Sequence, residues 1–569
     1  MKRYINKYIL IPALLVLFAG CNDFLEVEPQ AALNEGQVTT PENVDKLVIA
    51  AYSSLGNDHY VAPHMYWPTG DLRAGDAHKG GNGPADIFGY HVLSVFKPII
   101  ADMSSLPPDL LDLFDIKWYR DFIGISRANS ALKVLNNVTL EEVPLRDQRI
   151  GEMRFVRAFF YFDAKIHWKR IPFIDEFTED PTIVSNVELT DQELWNKIAE
   201  DLEYAKDVLP ATQSQIGRIN KLQATAFLAK VKLYQAYEQS DIDHSVININ
   251  QSRLEEVVNL CDEVINSGKY SLTPDYAMNF LYEYEFNDEA IFAIQRSIED
   301  GSPDGRGSWS GALNYPQDPA WGCCGFHVPT QNFVNAFKTD ASGLPLFDTF
   351  NENNYDVTTD AVDPRLDHTV SMEGKPFKYD PSFVHPGDSW ARNPGTYGNY
   401  VSMKELDEPD CECRAANGPF TISSRNTTII RYADLLLWKA EALIELNRVS
   451  EALPIINDIR DRAANSRGLL NNASIYRIGL YSSLGSQEEA RKKLRWERRL
   501  ELGQEGWRFF DLVRWGIAKE TLDAYQAVEV TRTPYLIDYE FTAGKNEYMP
   551  IPQKQVIASN FLYEQNPKY

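Results

Sequence analysis

Residues 432–446 read Tyr432-Ala433-Asp434-Leu435-Leu436-Leu437-Trp438-Lys439-Ala440-Glu441-Ala442-Leu443-Ile444-Glu445-Leu446. Ala433, Leu436, Ala440, Leu443 and Leu446 recur at gaps of three and four, which places them on one stripe of an α-helix. The small alanines in that stripe let a neighbouring helix come close. The same mixture fills Arg218 to Tyr237, where Leu222, Ala226, Ala229, Leu233 and Ala236 form the stripe. Leu453, Ile456, Ile459 and Ala463 mark a further helix. Pro454 is expected near its start, where a missing N–H does no harm. Glu42 to Leu55, Leu110 to Leu135, Arg146 to Trp168, Asp191 to Val208 and Glu488 to Leu502 also read as helices. The pattern predicts an all-α fold of stacked, tetratricopeptide-like helical hairpins, although no strict repeat period is visible.

Working outward, 44% hydrophobic residues in 569 supply a large core and exclude general disorder. A net charge of −25 repels phosphate backbones, and the chain lacks Lys/Arg clusters, so nucleic acid is excluded as a partner. The N-terminus carries a targeting signal. Lys2, Arg3 and Lys7 precede an uncharged stretch from Tyr8 to Gly20, too short to span a bilayer as an ordinary helix. Leu17-Phe18-Ala19-Gly20-Cys21 resembles a bacterial lipobox, with Phe18 where the motif prefers Leu. Residues 1–20 are therefore expected to be a lipoprotein signal peptide, and Cys21 the lipidated residue of a domain running over 21–569. An ordinary secretory signal is the alternative. Cys261 sits in a helical pattern as a free core thiol.

Long aromatic-rich insertions interrupt the helices at about 56–108, 299–350 and 362–419. Loops of that length tend to be functional. Sugar rings offer a C–H face to an aromatic plate and hydroxyls to carboxylates, amides and guanidinium groups, and stacking contributes on the order of 1 kcal/mol per ring. Trp67, Trp309, Tyr315, Trp321, Trp390 and Tyr397 are the candidate plates; Asp71, Arg73, Asp76 and Arg392 are the candidate hydroxyl partners. A local ion pair supporting the turn is the other reading of Asp71, Arg73 and Asp76. Cys323, Cys324, Cys411 and Cys413 allow three pairings. A bond between the adjacent Cys323 and Cys324 would make a rigid apolar bump beside Trp321, whereas bridges to Cys411 and Cys413 would staple two loops. Their spacing does not suit a zinc site. No metal or cofactor is expected, and nothing in the sequence supports a calcium site. No hydrolase, metalloprotease or nucleotide-loop motif appears, so no catalytic residues are assigned.

Several segments together resemble the SusD/RagB family of outer-membrane nutrient-binding lipoproteins. They are the stretch from Cys21 through Asn22-Asp23-Phe24-Leu25-Glu26-Val27-Glu28-Pro29, Gly217 to Ala226, Arg431 to Ala442, Arg495 to Leu502, Gly506 to Trp515, and the closing Tyr548-Met549-Pro550-Ile551-Pro552 with Asn560 and Gln565-Asn566-Pro567. The resemblance implies a helical scaffold whose irregular loops form the ligand face, lipid-anchored on the outer membrane and facing the exterior. It implies capture of an oligo- or polysaccharide and delivery to a SusC-like TonB-dependent transporter, without enzymatic activity. The paired cysteines beside Trp321 give a lean to a fructan. A peptide- or protein-binding scaffold of the same uptake class, and then a glycoside hydrolase, are the alternatives.

Overall fold

Helices pack largely in the order in which the chain makes them. The computed structural model describes residues 40–59, 66–97, 108–301, 306–470 and 473–569. The expected signal peptide and Cys21 lie outside the described residues. Val44–Leu55 (α1) lies against Pro108–Asn137 (α2), α2 against Arg146–Trp168 (α3), and α3 against Asp191–Val208 (α4). Lys221–Ala236 (α5), Gln251–Asn266 (α6), Tyr432–Glu445 (α7) and Val449–Asn465 (α8) continue the succession, and Gln487–Leu502 (α9) packs mainly on α7. Two shorter helices, Arg508–Arg514 (α10) and Ala518–Glu529 (α11), follow. Helices α4, α5 and α9 begin with reciprocal capping boxes, Thr190 with Glu193, Asn220 with Gln223 and Ser486 with Glu489. Each box satisfies end donors that a buried start would leave bare. No helix among the described residues is long and apolar enough to cross a membrane.

Two helices differ from their sequence patterns. The stripe of α5 is buried as expected, but so are Lys230, Lys232 and Gln235 on its other sides. This helix is enclosed by neighbours all round, and its lysines are accommodated by partners. Lys232 reaches Glu203 and Glu256 at 2.7 and 2.8 Å, and the Lys230 ammonium sits over the Trp507 ring at 2.9 Å from its centre. Helix α8 starts at Val449, so Pro454 lies inside it rather than near its start. Pro454 is on the exposed side, where the carbonyl it leaves unpaired can meet water. Ala452, Ile456, Ile459 and Ala463 of α8 are buried, and Cys261 of α6 is a buried free thiol facing the Leu435 carbonyl.

Short strands join the three insertions into one layer. Ala77–Gly80 (β1) pairs antiparallel with Phe326–Pro329 (β3), tying the first insertion to the second. The hairpin of Arg414–Asn417 (β4) and Phe420–Ser423 (β5) reaches the second insertion through a Ser308–Ser423 bridge. Ala290–Ile294 (β2) pairs with Thr427–Arg431 (β6), and β6 runs directly into α7.

The layer is fastened to the helices by buried charge. On α9, Glu497 and Glu501 lie one turn apart. Glu501 accepts from Arg365 at 3.0 Å and from Arg431 at 3.0 Å, and also pairs with Arg462. Its backbone carbonyl accepts from Tyr276 and from the Lys404 ammonium. Burial pushes the Glu501 carboxyl up, but Arg462, Arg431 and Arg365 outweigh it and hold the group well below the usual carboxylate range. Removing one member of such a network strands the others. Glu501→Gln is expected to lower unfolding stability by about 3–5 kcal/mol. The exposed Glu488→Gln on the same helix should stay within about 0.5 kcal/mol. Denaturant unfolding of both variants checks the contrast.

Candidate functional site

Just beyond α1, Asp58 turns its carboxylate into the second insertion. One oxygen accepts the backbone N–H groups of Trp309 at 2.9 Å and Ser310 at 3.0 Å, and the hydroxyls of Ser310 at 2.9 Å and Ser308 at 3.3 Å. The other oxygen accepts the N–H of His59 at 3.0 Å, and Arg296 stands 3.5 Å away. A buried carboxylate gathering several N–H donors is among the stronger anchors available to a loop. From beneath, the buried Trp67 donates its indole N–H to the Ser310 carbonyl at 3.0 Å. The 308–310 turn is held on two sides, and Trp309 is set at the surface, half-buried.

Three loops contribute to the face around Trp309. His59 stacks on it, with ring centres 6.1 Å apart and planes 25° from parallel. Phe420 of β5 approaches edge-on at 6.0 Å. The next turn carries the exposed Gly322 and the half-buried Cys323; a Cβ on Gly322 would come within 3.1 Å of the Pro419 carbonyl, one residue before Phe420. Thr421 donates its hydroxyl to the Trp321 carbonyl, locking this turn to the hairpin. The cysteines form two local bonds, Cys323–Cys324 and Cys411–Cys413, so the cross-loop bridges weighed from sequence do not form. Half-buried rings with polar backbone around them suit a ligand with flat C–H patches and edge hydroxyls.

Most of the other sequence candidates serve the interior, which corrects the expectation that they face a ligand. Trp321 is 3% exposed and packs against Phe383, Phe377 and Trp390 at 4.8, 4.9 and 5.3 Å between ring centres. Trp390 is buried and donates to Asp318, Tyr315 is buried on Asp407, and Tyr397 is buried beside Tyr535. These loops have no amphipathic face of their own, so their largest rings supply a separate core of their own with Phe377, Met403 and Leu406. Among the predicted plates, Trp309 alone is half-buried rather than buried. Cys324 is buried and Cys323 is half-exposed. Arg392 is partly exposed but engaged by Asp86 at 2.8 Å.

The charged trio is structural as well. Asp76 is buried against Arg499 at 2.7 Å. The Arg73 guanidinium lies 3.8 Å over the Phe509 ring and donates to the Asn546 carbonyl, and burial brings its pKa down to about 10. Asp71 faces His327 at 3.0 Å, and the opposite nitrogen of His327 meets Glu405, also at 3.0 Å. Burial opposes a charge on His327, yet Glu405 and Asp71 hold its pKa up to about 9. Burial pushes the Asp71 carboxyl up to about 6 against the hydrogen bond from that same imidazole. His327 sits at φ +52, a left-handed conformation unusual for a side chain of its size, and the two carboxylates fix it there. Sequence reasoning missed Asp58, His59 and Phe420. Their available signals were an Asp-His pair just past a helix end and a lone Phe after Gly418-Pro419.

Two family models match the chain. The model described as "SusD family" covers residues 288–569, and one described as "Starch-binding associating with outer membrane" covers 109–233. "SusD-like protein P38" of Formosa agariphila is 27% identical over 541 residues, 92% of this chain and 94% of the relative. Among solved structures, a SusD homolog from Bacteroides thetaiotaomicron superposes with a TM-score of 0.69 at 21% identity, over 94% of this chain and 98% of its own. Surface glycan-binding protein A from the same organism, solved in complex with laminarihexaose, gives 0.64 at 21%, over 92% and 99%.

Asp58→Ala should remove the acceptor shared by the Trp309 and Ser310 N–H groups, leaving Ser310 a longer contact of 3.3 Å to the Ser308 hydroxyl, at a total cost of about 1–3 kcal/mol. Amide exchange at Trp309 and Ser310 should quicken; unchanged exchange would show that the turn holds itself. For His327 the folded pKa is raised, so its contribution to stability is complete below pH 6.5 and is lost as pH climbs through about 9. The stability gap between the wild type and His327→Gln should therefore narrow across that window, as thermal unfolding at stepped pH would show.

Proposed function

The chain belongs to the SusD family, and on that footing we propose that it captures a neutral oligo- or polysaccharide on the Trp309 face. In this reading Trp309 takes the C–H side of one sugar unit, Phe420 and His59 border it, and the Cys323–Cys324 pair extends the apolar surface. The observation that carries the reading is the clamped Trp309 ring: Asp58 and Trp67 fix its turn, yet the ring is only half-buried. The laminarihexaose complex of a structurally similar protein supports a saccharide as ligand class. A net charge of −25 disfavours polyanionic glycans.

The finer steps follow the family. The bound glycan is passed to a SusC-like TonB-dependent transporter in the outer membrane, and the protein is tethered there through lipid on Cys21, facing outward. Binding rather than hydrolysis is supported by the state of the two carboxylates weighed as an acid/base pair. Asp71 and Asp76 are buried and engaged by His327 and Arg499, whereas glycoside cleavage needs both beside the scissile bond. The fructan lean rests on the vicinal cysteines alone, and the laminarihexaose complex brings a glucan into the same comparison. Both classes belong in the test.

Affinity electrophoresis against laminarin, inulin and levan is the direct measurement. Trp309→Ala should lose the retardation given by whichever polysaccharide slows the wild type, with melting temperature held within a few degrees. Trp321→Ala should instead destabilise the fold by about 3–5 kcal/mol, as removal of a core ring does. Unchanged retardation of Trp309→Ala would remove this face from the binding site.

A further inference from the structure

A second concave region shares none of the residues named around Trp309. It is a cleft of about 240 Å³ between the start of α5, the residues after α6 and the segment around 281–295, closed by Arg425, Asn426 and Thr428. Three rings line it: the half-buried Tyr270 and Tyr284, and Phe286.

Phe286 is the feature that packing does not explain. It is 53% exposed and sits at φ +62, a backbone conformation that favours glycine and costs a bulky residue on the order of 1 kcal/mol or more. Neither burial nor backbone preference accounts for a phenyl ring held open at the rim of a cleft. A ligand does. A second observation lies at the floor. Asn426 uses its backbone N–H on the Glu285 carboxylate and its side-chain oxygen on the Arg296 N–H, the latter at 3.0 Å. Its side-chain amide nitrogen is buried with no partner. Asn426 also lines a smaller cavity, about 50 Å³, that reaches Ser308 beneath the Trp309 turn.

The groups around the cleft carry few charges, of mixed sign. Arg425 is engaged by Asp407 at 2.6 Å, and Glu285 by Asn426. The exposed charges at the mouth, Lys269 and Asp288, are of opposite sign. What remains is ring faces, the exposed Gln295 amide and one unmatched N–H donor, since the Asn287 amide is taken up by the Met278 and Tyr284 carbonyls and the Glu289 and Ala290 N–H groups. Lys269, Asp288 and Glu285 form no patch of one sign that a strongly charged peptide would need, whereas a sugar unit matches the rings, the Gln295 amide and the free donor.

From this arrangement we infer that the cleft is a second saccharide site, in which Phe286 and Tyr284 take a sugar face and the Asn426 amide donates to a hydroxyl. The ligand class rests on the saccharide reading above; the site itself does not depend on the Trp309 face. Two sites on one chain would hold a polysaccharide at separate points along its length and raise its residence at the surface.

Titration calorimetry of the full chain with laminarihexaose and with short inulin oligosaccharides tests it. Phe286→Gly suits the left-handed backbone, so its melting temperature should hold or rise. One of these oligosaccharides should bind the wild type at about two sites, and Phe286→Gly or Tyr284→Ala should reduce this to about one. Trp309→Ala should retain the Phe286-dependent site, and combining Trp309→Ala with Phe286→Gly should remove all binding. If Trp309→Ala alone abolishes binding and Phe286→Gly matches the wild type, the second site is overturned while the first reading stands. If Phe286→Gly abolishes binding and Trp309→Ala does not, the cleft stands and the first reading falls. No heat from either oligosaccharide overturns both.

Discussion

Buried ion pairing between α9 and its surroundings is the constraint on which the molecule depends. Glu497, Arg498, Arg499 and Glu501 are consecutive or near-consecutive, and together they reach α7, α8, α10, β6 and the first and third insertions. Arg498 pairs with Asp434 of α7 and Asp511 of α10, and Arg499 with Asp76 of the first insertion. Glu497 meets Arg460 of α8 and Arg365 of the third insertion, and Glu501 gathers Arg365, Arg431 and Arg462. Charges withdrawn from water are tolerated only when all partners arrive together. The helical body and the loop layer must therefore assemble in one arrangement, which makes irregular loops rigid without regular secondary structure.

On that frame the loops position a ring by the same device at smaller scale. Asp58 collects the donors of the 308–310 turn, and Trp67 closes the turn from below. Trp321 and Trp390 form the interior of the neighbouring loops, with Phe377 and Phe383 wedged against them. A ligand surface of this sort is left over after the loops have satisfied their own need for a core. Trp309, the half-buried one, sits in a turn tied down by Asp58 and Trp67.

Much of the fold was legible in the sequence because helices write their faces at a fixed period. Arg146–Trp168 and Asp191–Val208 have the ends their patterns suggested, the second because Thr190 and Glu193 form its cap. Pro454 misled because the exposed side of α8 tolerates it beyond the first turn. The ligand face was harder to read. Trp309 and Trp321 look alike in sequence, both set among glycines and prolines, and no period separates the inward ring from the outward one. Only the pairing of Asp58 with a turn 250 residues away, and of Phe377 with Trp321, sorts them. The Asp71, Arg73 and Asp76 cluster misled for the same reason, since its partners His327, Phe509 and Arg499 are all distant in the chain.

Whether a saccharide meets the half-buried ring or some other surface is the question on which the functional account turns. Hydroxyl-radical footprinting of the whole protein, with and without laminarin or inulin, reads this residue by residue. The account predicts protection of Trp309 and Phe420 by the glycan that binds, beside any at Phe286 and Tyr284 of the second cleft, with Trp321 and Trp390 inert in both states because they are already buried. Protection that spares Trp309 and falls on the helical body instead would contradict it.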